Sequence, residues 1–176
     1  MTRARRVTVG EIEPEALAAL AARTFPLACP PELSAEAVGA FIADNLSPAA
    51  FAAHLADPGA HVYVAGAAAA PVGYGLVLHG VHGDAPGSWV RQRTAYVSKL
   101  YVDPGEHGGG IARDLMIAAL DGARADGCAA AFLGTNRKNV RARRFYAKQG
   151  FEVVGERVFV VGGIDNTDDV LLLALT

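Results

Sequence analysis

Cysteine, lysine and tryptophan are scarce in this chain: its 176 residues include two cysteines, three lysines and one tryptophan, against 35 alanines, 20 glycines and 13 arginines. Cys29 and Cys128 are far apart and show no metal-ligand or redox spacing, so both are expected to be buried apolar residues in a reducing compartment. The five histidines show no ligand spacing either, so no metal is expected. No excess of one charge is present. A net charge of −2 argues against a nucleic-acid partner. Hydrophobic residues reach 52%, but alanine inflates that figure, and no apolar run approaches the ~20 residues that span a bilayer. Glu11, Glu13, Pro14 and Glu15 interrupt what would otherwise be a signal-peptide core. These absences leave a cytoplasmic globular protein with no membrane partner, one domain over residues 1–176. A chain of this length buries about 70% of its unfolded surface.

The order of elements follows from periodicity and punctuation. Arg6–Val9 reads as a strand, and Pro14 leads into a helix over Glu15–Arg23. Phe25-Pro26 and Pro30-Pro31 form a break. Ser34 caps a second helix carrying Val38, Phe41 and Ile42, without a capping box because Ala37 holds the third position. Ser47-Pro48 starts a third helix, which ends at Asp57-Pro58-Gly59. The period then shifts from 3.6 to 2. Strands over His61–Ala65 and Val72–Leu78 form a hairpin. His79–Ser88 is a loop, expected to carry His79 and His82, and His54 falls on a helix surface. A strand over Thr94–Val102 runs through the glycine-rich turn Asp103–Gly110 into a helix over Ile111–Ala125. After a strand at Ala129–Leu133 comes a helix over Lys138–Gln149, ended by Gly150. Strands over Phe151–Val161 and Val170–Leu175 flank a turn at Gly162–Asn166. The order β-α-α-α-β-β-β-α-β-α-β-β describes one α/β (mixed α+β) domain with no internal repeat.

Two stretches carry chemistry. In the first, His107-Gly108-Gly109-Gly110-Ile111-Ala112-Arg113 joins a strand to a helix. Glycines there let backbone N–H groups converge on an anion at the positive end of the helix dipole. The competing reading is a flexible turn. A Walker A loop is excluded because no Gly-Lys-Ser/Thr follows, and a dinucleotide fold lacks its second phosphate-binding unit and ribose acid. The second stretch contains Asn139, Ala142, Phe145, Tyr146, Gly150 and Phe151.

Together these stretches resemble the GNAT superfamily of acetyl-CoA-dependent N-acetyltransferases. His107–Ala112 is similar to its motif A, Gln/Arg-x-x-Gly-x-Gly/Ala, with His in the first place. Asn139–Phe151 is similar to its motif B, Asn-x-x-Ala-x-x-Phe-Tyr-x-x-x-Gly-Phe. The element order extends the resemblance over essentially the whole chain and implies a central twisted mixed sheet of about seven strands flanked by helices.

For the site, the resemblance implies acetyl-CoA as cosubstrate. The backbone of Leu100, Tyr101 and Val102 would pair with the pantetheine arm, and the Val102 N–H is the candidate oxyanion donor. The amides of His107, Gly108, Gly109, Gly110, Ile111 and Ala112 would hold the pyrophosphate. His107 offers less charge than Arg, for which Arg113 compensates. Asn139 would contact the pantetheine or orient its helix. Tyr146 would protonate the departing CoA thiolate; the alternative is plain packing beside Phe145. Ser98 stands where relatives often carry a Glu base, so no base is assigned. Arg137, Arg141, Arg144 and Lys148 form a basic stripe. Arg137 or Lys138 would meet the CoA 3′-phosphate, and the later members form a solvated face.

The N-terminal part and the ending through Asp168 and Asp169 more loosely resemble the bacterial polyamine (spermidine/spermine) N-acetyltransferases, with Glu32, Glu36 and Asp44 as candidate acids for the acceptor. The acceptor is thus expected to be a small-molecule amine. A peptide N-terminus, an aminoglycoside and an inactive acyl-CoA-binding module are the alternatives, and association into a homodimer is left open.

Overall fold

The computed structural model describes residues 4–161 and 164–175. Seven strands form one mixed sheet in the order β1-β2-β3-β4-β5-β7-β6. The strands are β1 (Arg5–Val7), β2 (Ala60–Ala67), β3 (Ala70–Val81), β4 (Arg93–Val102), β5 (Ala130–Asn136), β6 (Glu152–Val161) and β7 (Ile164–Ala174). The α-helices are α1 (Pro14–Ala28), α2 (Ala35–Asn45), α3 (Pro48–Ala56), α4 (Ile111–Ala125) and α5 (Val140–Lys148). The expected α/β architecture of about seven strands flanked by helices is present. Contacts gather the chain into two compact units, Met1–Val77 with Lys99–Ala119, and Leu78–Ser98 with Leu120–Thr176.

In the first unit, Ser34 Oγ accepts from Ala37 N at 3.1 Å and Ser47 Oγ from Ala50 N at 3.2 Å, so both expected caps form. α1 buries Leu17, Leu20 and Ala21. From α3, Phe51 meets the Tyr74 ring of β3 edge-on, 5.5 Å between centroids. Tyr74 in turn stacks on Tyr101 of β4 at 5.7 Å. In the second unit, β5 is buried along Ala130–Leu133. A continuous apolar run suits a strand covered on both faces. β5 pairs parallel with β4 over Thr94–Tyr96 and antiparallel with β7 along its full length, Ala130↔Ala174 to Asn136↔Asp168.

Several boundaries differ from the sequence expectation. α1 does not break at Phe25-Pro26 but continues to Ala28 with Pro26 inside its last turn. Phe25 stacks on Phe41 of α2 at 4.6 Å, and this contact holds Phe25 helical against the preference imposed by the following proline. β3 runs to Val81, so His79 lies on a strand rather than in a loop. It is buried, with Nδ1 2.8 Å from Asp126 Oδ2. β7 starts at Ile164 because Ile164, Asp165 and Asn166 already pair with Val161, Val160 and Phe159. The rest of that expected turn, Gly162-Gly163, lies outside the described residues. Cys128 is buried as expected, whereas Cys29 is half-exposed.

A side chain on Gly73 of β3 would be tightly confined. A Cβ there would sit 3.0 Å from both Ile111 Cγ2 and Leu115 Cδ1 of α4, and 3.3 Å from the Tyr101 carbonyl oxygen. Gly73→Val is therefore expected to cost about 1–3 kcal/mol through overpacking, read as a lower denaturant midpoint at unchanged slope. An unchanged midpoint would contradict this packing.

Candidate active site

β4 carries the first group of candidate residues. Its pairing to β5 covers Thr94 to Tyr96. Towards β3, Asp103 N donates to Val72 O at 2.8 Å, which anchors the end of the strand. Leu100, Tyr101 and Val102 are the last three residues of that strand.

The loop after β4 is closed by its own side chains. Asp103 Oδ1 accepts from Gly105 N at 3.2 Å and Oδ2 pairs with Arg23 of α1 at 3.4 Å. The His107 imidazole donates from Nε2 to the Val102 carbonyl at 3.0 Å. Two of the loop amides are already used, His107 N by Pro104 O and Gly109 N by Glu106 O, both at 3.2 Å. Gly108 (φ +89°) and Gly110 (φ +84°) lie in the left-handed region that favours glycine. The first helical hydrogen bond of α4 is Asp114 N to Gly110 O at 3.0 Å. The amides of Ile111, Ala112 and Arg113 therefore precede the helical ladder, as first-turn amides do. With Gly108 and Gly110, they are the candidate amides of this stretch. His107 and Gly109 shape it. Arg113 is exposed in the first turn.

α5 carries the second group of candidate residues. Asn139 caps it, its Oδ1 accepting from Ala142 N at 3.0 Å. At the other end, Phe151 N donates to Tyr146 O at 3.1 Å and Gly150 N to Ala147 O at 3.0 Å, the paired bonds of a Schellman motif with Gly150 at φ +93°. The Tyr146 ring meets Phe151 edge-on at 5.9 Å, the apolar contact that accompanies such a motif, and Phe145 at 5.3 Å. Burial pushes the Tyr146 phenol up to about 12.

Acids behind α5 take up part of the basic stripe. Arg137 Nε donates to Asp169 Oδ1 at 2.9 Å, and its Nη2 donates to Glu156 Oε2. Arg143 Nε pairs with Asp169 Oδ2 at 2.8 Å. Arg137 is therefore committed to two carboxylates. Arg141, Arg144 and Lys148 are exposed. Asp168 lies near Arg157 at 3.6 Å, and burial pushes its carboxyl up despite that guanidinium. The role of Asp169 was not legible in the sequence. Its arginine partners stand 26 and 32 residues away, and the available signal was the Asp168-Asp169 pair directly before the apolar run at 170–173.

In the first unit, α1 and α2 border a shallow groove of about 450 Å³ lined by Pro26, Cys29, Pro30, Leu33, Val38 and Ile42 among others. Glu32, Glu36 and Asp44 are exposed nearby in sequence. His54 is half-buried rather than on an open helix surface. Burial and the neighbouring Lys99 charge hold its imidazole below the usual range, and burial lowers Lys99 as well. None of the helices among the described residues is long and apolar enough to cross a membrane.

Known proteins share this pattern. An uncharacterized N-acetyltransferase of Mycobacterium tuberculosis is 42% identical over 159 residues, covering 90% of this chain and 96% of its own. The mycothiol acetyltransferase of Streptosporangium roseum is 41% identical over 71 residues, 40% of this chain and 20% of its own. Among solved structures, the PaiA N-acetyltransferase of Thermoplasma acidophilum in complex with coenzyme A superposes with a TM-score of 0.77 at 17% identity, over 99% of both chains. The model of the acetyltransferase (GNAT) family matches residues 16–151. With the glycine loop opening α4 and the doubly capped α5 inside that match, the chain belongs to the GNAT family and is an acetyl-CoA-dependent N-acetyltransferase.

Proposed function

We propose that this enzyme passes the acetyl group directly to the primary amine of a small molecule, with Tyr146 protonating the CoA thiolate as it leaves. The observation that carries the reading is the place of Tyr146 on the doubly capped α5 inside the family match; burial raises its phenol, which stays protonated at neutral pH. A proton held there is available for a developing thiolate. The neutral amine attacks the thioester carbonyl carbon, forming the C–N bond and moving the carbonyl electron pair onto oxygen. The Val102 N–H is the donor for that oxyanion. Collapse breaks the C–S bond, and the sulfur takes the Tyr146 proton. Solvent reprotonates the phenolate and receives the surplus ammonium proton, since Ser98 offers no carboxylate at the position where relatives often have one.

The loop geometry supports binding of the acetyl-CoA pyrophosphate by the amides of Gly108, Gly110, Ile111 and Ala112 with help from Arg113, while His107 holds the loop closed. Leu100, Tyr101 and Val102 supply backbone partners for the pantetheine arm. Because the Asn139 side chain already accepts from Ala142 N, its part is to orient α5.

For the acceptor, a polyamine is the first reading, with Glu32, Glu36 and Asp44 as exposed acids for its cationic groups. The groove beside α2 favours a second reading. Its lining is apolar and includes no carboxylate, which suits a peptide N-terminus with an apolar side chain. Thiol release from acetyl-CoA across a panel of polyamines, peptides and aminoglycosides decides between them. Equal or better turnover of a peptide counts against the polyamine, and CoA binding without turnover of any amine would leave a binding module.

Two outcomes are expected. Tyr146→Phe should lower kcat about 100-fold, in the range of general acid catalysis, with little change in acetyl-CoA affinity. In the wild type, the rate should rise as the amine loses its proton. Because burial pushes the phenol up to about 12, no phenol-dependent decline is expected below about pH 10, and one there would contradict the burial of the phenol. Gly110→Ala meets no neighbour, so its effect is backbone strain at positive φ. It should weaken CoA binding about tenfold, or about 1.4 kcal/mol, by calorimetric titration. Unchanged affinity would contradict the phosphate assignment.

A further inference from the structure

Asp169 lies on β7, outside both motifs, and its side chain is only 3% exposed. We propose that this buried carboxylate is a positioning residue that holds α5 in register, and with it Tyr146; the proposal rests on the acid role given to Tyr146 above. Each oxygen of Asp169 faces its own arginine: Oδ1 accepts a hydrogen bond from Arg137 Nε at 2.9 Å, and Oδ2 forms an ion pair with Arg143 Nε at 2.8 Å without hydrogen-bond alignment. Arg137 precedes the Asn139 cap by two residues, and Arg143 follows it by four. One rigid group on the sheet therefore grips the helix on both sides of its start. The strand ladder fixes that group in turn, because Asp169 pairs with Thr135 of β5 and Glu156 of β6, and Arg137 N donates to Thr167 O at 3.1 Å.

The grip reaches the catalytic face. Arg143 and Tyr146 are three residues apart and so are neighbours on one helix face. Fixing Arg143 against β7 limits both the rotation of α5 about its axis and its slide along it, the two motions that would move the phenol. A buried ion pair adds little net stability, because desolvation offsets the attraction. Its effect here is positional: a hydrogen bond at one oxygen and an ion pair at the other draw both sides of the helix start to one point on the sheet.

The test is a double-mutant cycle on the full chain, with Asp169→Asn, Tyr146→Phe and both together. Asp169→Asn is expected to lower kcat by about tenfold or more, towards the ~100-fold that a displaced group costs, while KM for acetyl-CoA stays within about twofold of wild type. In the Tyr146→Phe background the same change is expected to add less than about twofold, because a misplaced phenyl ring has no proton to deliver. Losses that multiply, or an unchanged kcat in Asp169→Asn, overturn the role of Asp169 and leave the acid role of Tyr146 standing. Full kcat in Tyr146→Phe alone overturns both. If Asp169→Asn does not fold, the cycle is repeated with Arg143→Gln, which releases one arm and leaves Asp169 paired with Arg137; the same outcomes apply.

Discussion

α5 has nine residues, too few to be helical alone, since isolated helices shorter than about 12–15 residues are marginal in water. Its existence depends on its ends. Asn139 satisfies a first-turn amide, and the Gly150–Phe151 turn satisfies the last carbonyls, one of which belongs to Tyr146 itself. The residue assigned to proton transfer is thus also the residue on which the helix closes. A change in the closing turn would be felt at the phenol without any contact being lost on the catalytic side. Motif B, read physically, is a list of caps and their apolar braces: Asn139, Ala142, Phe145, Tyr146, Gly150 and Phe151 each hold a place in that frame.

Backbone groups play the corresponding part at the other stretch. The turn after β4 uses the amides of His107 and Gly109 for its own hydrogen bonds and presents those of Gly108 and Gly110. A sharp turn that exposes alternate N–H groups needs positive φ at the exposed positions, and both are glycine. The opening turn of α4 adds three more amides with the helix dipole behind them. Charge on side chains is then secondary, which fits a motif whose first residue is a histidine in place of the family's Gln or Arg.

Much of this was legible from residue types and spacing. α4 begins and ends at the expected residues, because its apolar face and the glycine turn before it are both local signals. The α2 and α3 caps follow from Ser34 and Ser47 for the same reason. The misreadings share a cause in contacts distant along the chain. Pro26 marks a break by local rules, yet stacking of Phe25 on Phe41 carries the helix past it. His79 sits among glycines and looks like loop, but pairing of β3 and the contact with Asp126 bury it. Helical spacing placed Arg137 on a basic stripe as a candidate for the CoA 3′-phosphate, whereas β6 and β7 supply carboxylates that bind it. Periodicity reports which face of an element is buried. It does not report what waits on a neighbouring strand.

The bond between the His107 imidazole and the Val102 carbonyl fixes which ring nitrogen bears hydrogen. A carbonyl can only accept, so Nε2 carries it. The first residue of the glycine stretch is thereby tied back to the last residue of β4, five positions earlier. The side chain that stands where the family has Gln or Arg closes the turn onto its own strand.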